Sequence, residues 1–182
     1  MIARVIPAFA YAFKPAGDCI TTHTADRFHL YDGQPVRLRV GEAEAIDLVV
    51  SNDRQRPIAL IAVDGCLYDT AGPFGTKAPT RCDCVLICDE KAHFIEFKHG
   101  QAKNRTDRVK ECIPQLAATI SDFHRRGIIP DGSTVRAIAC VGFTEQEPPR
   151  GASVEARIVQ LNRLTPATVV VELAVSNQTT FN

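Results

Sequence analysis

Three residues near the middle of the chain have the types and spacing to do chemistry: Asp83, Glu96 and Lys98. Two carboxylates and an ammonium group, brought together, suit the handling of phosphate. Carboxylate oxygens are hard ligands for Mg²⁺ or Mn²⁺, which take a few carboxylates and fill their other positions with water and substrate phosphate oxygens. A cation held this way polarises a phosphate and lowers the pKa of bound water. A lysine beside it orients that water or balances charge on the phosphate. Whether the three side chains meet depends on the elements that carry them.

Residues 84–88 form a continuous apolar run, and residues 93–98 are rich in β-formers. Asp89-Glu90-Lys91-Ala92 between them is polar and short, so the pair reads as a hairpin. Alternation in the second strand puts Phe94, Glu96 and Lys98 on one face and Ile95 and Phe97 on the other. A symmetric turn pairs Cys88 with His93, which sets Asp83 opposite Lys98 and Val85 opposite Glu96. Asp83, Glu96 and Lys98 then share one face, with Asp83 and Glu96 a diagonal step apart. A slip of one residue would turn Asp83 away. Phe94, Val85 and Ile87 lie on that face too, so it is expected to be covered.

The cover is legible downstream. Val109, Ile113, Leu116, Ile120 and Phe123 recur at steps of four and three, an amphipathic helix over 107–126 docked on the sheet. Asn104 or Thr106 caps it and Gly127 stops it, while Pro114 predicts a kink or a loose first turn. Gln115 lies beside the apolar stripe, within reach of the carboxylates or Lys98. Lys103, Arg105 and Arg108 give the start of this segment a positive balance, the best local source of contacts to backbone phosphate.

Asp83 followed by Glu96-Phe97-Lys98 at the end of the next strand resembles the P-D-(D/E)-x-K signature of restriction-endonuclease-like nucleases, with Cys82 where the motif has proline. The resemblance runs to about residue 143. It implies an α/β (α+β) fold, a mixed β-sheet core over about 57–143 flanked by helices, with extra strands at both ends of a single domain spanning 1–182. It implies Asp83 and Glu96 as ligands of Mg²⁺ or Mn²⁺, the Phe97 carbonyl as a further ligand, and Lys98 as the residue that positions water. Gln115 matches the helix glutamine that many members carry. The acid that members usually supply from an early helix has no clear counterpart. Glu42 or Glu44 would serve if 42–50 is helical, Asp64 or Asp69 if it is a strand. The implied activity is divalent-metal-dependent hydrolysis of phosphodiester bonds, in DNA more than in RNA. The alternative is a nuclease-fold protein that no longer cuts and serves in binding or assembly. A homodimer is left open, including one in which Asp83 and Lys98 are only a cross-strand ion pair.

Composition sets the outer bounds. The 182 residues hold 21 acidic and 21 basic side chains, which argues against strong general affinity for nucleic acid but allows a local basic patch. There is no Trp, so an extended stacking platform for single strands is not expected. Seven cysteines sit mostly in apolar runs without C-x-x-C spacing, and read as buried thiols of a protein in a reducing cytoplasm rather than as a zinc or iron–sulfur site. No stretch is long and apolar enough to predict a membrane span. The apolar start resembles a short signal peptide, but Pro7 interrupts it.

Elsewhere, residues 1–13 read as a strand or short helix and 14–24 as a loop. Residues 35–69 read as a β-meander, 135–143, 154–161 and 168–175 as strands, and 176–182 as a loose tail.

Overall fold

Residues 58–62 and 84–88 are apolar at nearly every position, so strands built from them have no polar face to give to water and both faces must be covered. The computed structural model describes residues 7–9, 11–13, 17–41, 47–68, 80–98, 105–142 and 152–182, and it supplies both covers. The strands are β1 (Ile20–His23), β2 (Arg27–Tyr31), β3 (Arg37–Val40), β4 (Leu48–Ser51), β5 (Ile58–Ala62), β6 (Cys84–Cys88), β7 (Lys91–Phe97), β8 (Thr134–Cys140), β9 (Val170–Val175) and β10 (Gln178–Thr180). Residues 7–9 and 11–12 are helical, and the two longer helices are α1 (Arg105–Arg125) and α2 (Ala152–Leu164).

A six-stranded sheet in the order β1-β5-β6-β7-β8-β9 forms the middle layer. Its β1, β5, β6 and β7 pair antiparallel, while β7, β8 and β9 run parallel with α1 and α2 as crossovers. The helices and Ala8, Phe9, Ala12 and Phe13 close one face over Val85, Phe94, Ala137 and Val171. A second sheet, ordered β10-β4-β2-β3, closes the other over Leu60, Leu86, Ile95 and Ile138. The result is three layers: helices, mixed sheet, small sheet. This bears out a mixed α and β fold.

The α1 helix was expected, and it runs through Pro114 unbroken. Pro114 and Lys110, whose carbonyl loses its partner, both lie on the exposed side of the helix. Gly127, at φ +72°, ends the helix, with the Ile128 amide donating back to Phe123 O.

Several expectations are corrected. Residues 154–161 are not a strand but the body of α2. Val154, Ile158 and Leu161 recur at helical spacing, whereas Val159 is half exposed. The 35–69 stretch is not one meander. β3 and β4 both pair with β2, and β5 joins the other sheet. Residues 14–24 include a 3₁₀ turn and β1 rather than loop alone. The tail is not loose: β10 pairs parallel to β4, and Phe181 is fully buried and stacked on His93 with ring centres 4.1 Å apart. Nor are all cysteines free. Cys19 and Cys66 form a disulfide, while Cys82, Cys84, Cys88, Cys112 and Cys140 remain buried thiols. Antiparallel pairing of Ile20 with Ile61 is what brings the two cysteines together from 47 residues apart. Among the described residues no helix is long and apolar enough to cross a membrane.

Candidate active site

The hairpin that carries the motif forms, with a tighter turn than expected. Cys88 pairs with Lys91, not His93, because Asp89 and Glu90 alone make the turn and Asp89 takes a left-handed φ of 50°. The register therefore moves by two residues. Cys84 faces Ile95, and Asp83, one step beyond the ladder, comes level with Glu96 rather than Lys98. An even shift preserves the faces. Glu96 points to the helix side with Phe94, and the two carboxylates meet more directly than a diagonal step allows.

Asp83 stands where the chain bends into β6, and its backbone is held on both sides. Its N–H donates to Ile95 O at 3.1 Å, and its carbonyl accepts from Val63 at 2.9 Å and Asp64 at 3.3 Å. The Phe97 amide donates to Asp83 Oδ2 at 2.7 Å. Glu96, only 1 % exposed, receives Lys98 Nζ at 2.8 Å on Oε1. Gln115, from α1, donates its Nε2 to the same oxygen. The helix is fixed to the strand start one turn further on, where Thr119 Oγ1 accepts the Cys82 amide at 2.9 Å. Asp83, Glu96, Lys98 and Gln115 are thus brought together.

The electrostatics of this group are unusual for surface-type residues. Burial first, then the neighbouring charge of Asp83, pushes the Glu96 carboxyl up to about 9, against the pull of Lys98. Burial likewise raises Asp83 to about 6; the Phe97 amide and Lys98 act against the rise, and Asp32 adds to it. Burial opposes the charge on Lys98, but its bond to Glu96 and the field of both acids outweigh that, and its pKa is raised. Buried Cys82, Cys84 and Cys112 pack nearby, their thiols pushed well up by burial, so they are neutral. The acids lie close enough to share one proton. With both ionised, Glu96 Oε2 is buried and has no hydrogen-bond partner. A buried carboxylate oxygen left in this state is costly. Two carboxylates brought together in this way could hold a divalent cation such as Mg²⁺ or Mn²⁺. Among the described residues no three His, Cys, Asp or Glu side chains are placed to share one ion.

The other expected residues fall elsewhere. Arg108 is buried and donates to Val141 O at 3.0 Å, bracing the end of β8 rather than presenting a surface cation. Asp64 accepts from Gln34 Nε2 at 3.2 Å. Glu42, Glu44, Asp69, Lys103 and the side chain of Arg105 lie outside the described residues. Two acids that the sequence did not single out are linked through the backbone to the end of β7. Asp32 follows β2, and its amide donates to Asp47 Oδ2 at 2.6 Å. Asp47 O in turn accepts from Cys140 Sγ at 2.8 Å, and Cys140 O accepts the Lys98 amide at 2.9 Å. Asp32 precedes a glycine and reads locally as a turn, so nothing in the sequence signals this placement. A cleft of about 650 Å³ lined by Lys91, His93, Arg136 and Glu172 opens at the opposite end of the strands and holds none of these residues.

Compared with protein-family models, curated proteins and solved structures, the chain has no significant match.

Proposed function

We propose that this chain is a divalent-metal-dependent nuclease of the restriction-endonuclease-like kind, hydrolysing phosphodiester bonds, in DNA rather than RNA. The observation that carries the reading is the meeting of two carboxylates, half-buried Asp83 and buried Glu96, close enough to share a proton, with Lys98 and Gln115 both engaged on Glu96 Oε1. Asp83 and Glu96 would hold Mg²⁺ or Mn²⁺, with the Phe97 carbonyl as a further donor. The bound cation would supply an activated water and neutralise charge on the phosphate. Lys98, partly exposed and tied to Glu96, would orient the attacking water and stay charged as the phosphate gains negative charge. Gln115 would hold Glu96 in place. The neighbouring thiols and apolar side chains keep the local dielectric low, which strengthens each of these interactions.

The test is cleavage of linear, circular and single-stranded DNA and of RNA with Mg²⁺ or Mn²⁺, for wild type beside Asp83→Asn and Lys98→Ala. Metal-dependent cutting lost in both variants supports the reading. Cutting that survives both overturns it. A second reading, a nuclease-fold subunit that binds without cutting, draws on the absence of a three-acid cluster among the described residues. Wild-type protein that binds Mn²⁺ through Asp83 and cuts none of the four substrates would favour it.

A further inference from the structure

We infer that Arg81, Arg125 and Arg126 form a second phosphate site, which grips the nucleic-acid backbone about two turns of α1 away from the carboxylates. This rests on the nuclease reading above and names where its substrate is held. Three observations carry it. The first is an excess of positive charge on one buried acid. Asp122, whose side chain is 2 % exposed, accepts from Arg125 on Oδ1 and from Arg126 Nε on Oδ2 at 2.8 Å, and Tyr68 Oη donates to Oδ2 as well. The Arg81 guanidinium lies 4.9 Å from the centre of the Tyr68 ring, so three cations converge on a single carboxylate. Among the described residues none of the three pairs with a second acid. Cations in the last turn of a helix offset its dipole, but Arg81 arrives from outside the helix.

The second is that the guanidinium groups are held ready. Arg126 lies 4.5 Å from the centre of the Phe13 ring and donates to Ala12 O at 3.1 Å. Arg81 donates to Thr80 O at 3.0 Å. Rings and carbonyls fix these planes, while the Arg125 and Arg126 side chains stay 69 % and 37 % exposed. A guanidinium held this way offers its remaining N–H groups as a fork that matches phosphate oxygens.

The third is alignment with the acids. The Cys82 amide bonds to Thr119 and Gln115 reaches Glu96, so Arg81, Cys82 and Asp83 run alongside Asp122, Thr119 and Gln115 of α1. Gln115 and Asp122 are seven helical residues apart, about 10 Å along the axis. A strand of duplex DNA advances about 3.4 Å per nucleotide, so a backbone with one phosphate at the acids sets another at the arginines about three nucleotides on. Arg108, the cation expected to meet phosphate, is buried near the other end of α1 and leaves the role open.

The test is fluorescence anisotropy with a labelled DNA duplex in EDTA, where binding is read without metal-dependent cutting, over about 50 to 200 mM salt. The proteins are wild type, Arg81→Gln/Arg125→Gln, Arg125→Gln and Arg37→Gln. The double variant leaves Arg126 on Asp122, and Arg37, exposed on β3 of the small sheet, controls for loss of a cation elsewhere. The double variant is expected to bind about 10-fold more weakly at about 50 mM salt, with the slope of log affinity against log salt reduced by about 1. Arg37→Gln should match wild type. Unchanged affinity and slope in the double variant overturn this inference and leave the nuclease reading to its own cleavage assay. Wild type that binds no DNA in EDTA overturns it too. If the double variant melts well below wild type, Arg125→Gln alone decides, and wild-type affinity there overturns the inference. Inorganic phosphate binding that is lost in the double variant, with DNA affinity unchanged, assigns the cluster to a free anion and likewise overturns it.

Discussion

The amide of Phe97 donates to Asp83 Oδ2 at 2.7 Å, so the residue between Glu96 and Lys98 aims the carboxylate that faces them. The contact asks for an acceptor and not for a charge, which separates geometry from electrostatics at this position. Asp83→Asn keeps an oxygen for the Phe97 amide and loses the anion. It is expected to melt at or above the wild-type temperature in EDTA and to lose Mn²⁺ binding. Melting well below wild type would mean that the Asp83 charge is part of the fold.

Glu96 gives the metal-free protein an inverted pH profile. An unfolded glutamate titrates near about 4.3, whereas the folded one is pushed up to about 9. The folded chain therefore keeps a proton that the unfolded chain has released. Its stability is full below the unfolded value and falls as pH rises toward about 9. Asp83 adds the same slope up to about 6. Thermal melts in EDTA from about pH 5 to pH 9 are expected to fall in wild type and to be flatter in Glu96→Gln. Saturating Mn²⁺ should restore most of the loss, since metal binding displaces the proton. A wild-type midpoint that rises across this range would contradict the assignment.

Gln115 reaches Glu96 from α1, and so tests the helix contribution. Gln115→Ala is expected to weaken Mn²⁺ binding by about 10-fold with little change in melting point. Gln115→Glu should be worse, because it sets a third acid on the same oxygen. Equal Mn²⁺ affinity in all three proteins would remove Gln115 from the site.

Further along α1, Asp122 serves as a structural control. Its buried carboxylate accepts from Tyr68 Oη, Arg125 and Arg126, and Arg126 also reaches Ala12 O at 3.1 Å. Asp122→Ala is expected to cost about 2 kcal/mol, the order measured for buried hydrogen bonds to charged groups. Denaturant unfolding would read this, while Mn²⁺ affinity stays at the wild-type value. A change in affinity would couple this cluster to the site.

How much of this was legible follows from what each signal measures. The period of two placed Asp83 and Glu96 on one face, and the observed register kept them there because it moved by an even step. The turn is shorter than its polar residues suggest: Lys91 looks like a turn residue but pairs with Cys88, its side chain reaching Asn182 O at 2.9 Å. The α1 stripe was long and regular enough to read directly. Shorter elements were not. β2, β3, β4 and β10 have three to five residues each, and their pairing depends on partners far away in sequence. Phe181 is anchored by His93, a partner far upstream that nothing local in the sequence announces.

The chain leaves the six-stranded sheet after His23 and re-enters it at Ile58, and these two residues face each other in the β1–β5 ladder. Entry and exit of the small sheet are therefore neighbours, and the Cys19–Cys66 bond clasps the chain at the far end of the same ladder. In architectural terms residues 24–57 are a cassette. A tight hairpin could join β1 to β5 in its place, since Asp83, Glu96, Lys98 and Gln115 all belong to the frame. Such an excision would strip the cover from Leu60, Leu86, Ile95 and Ile138 and leave β10 without β4 to pair with. The cassette is thus separable in connectivity but not in burial.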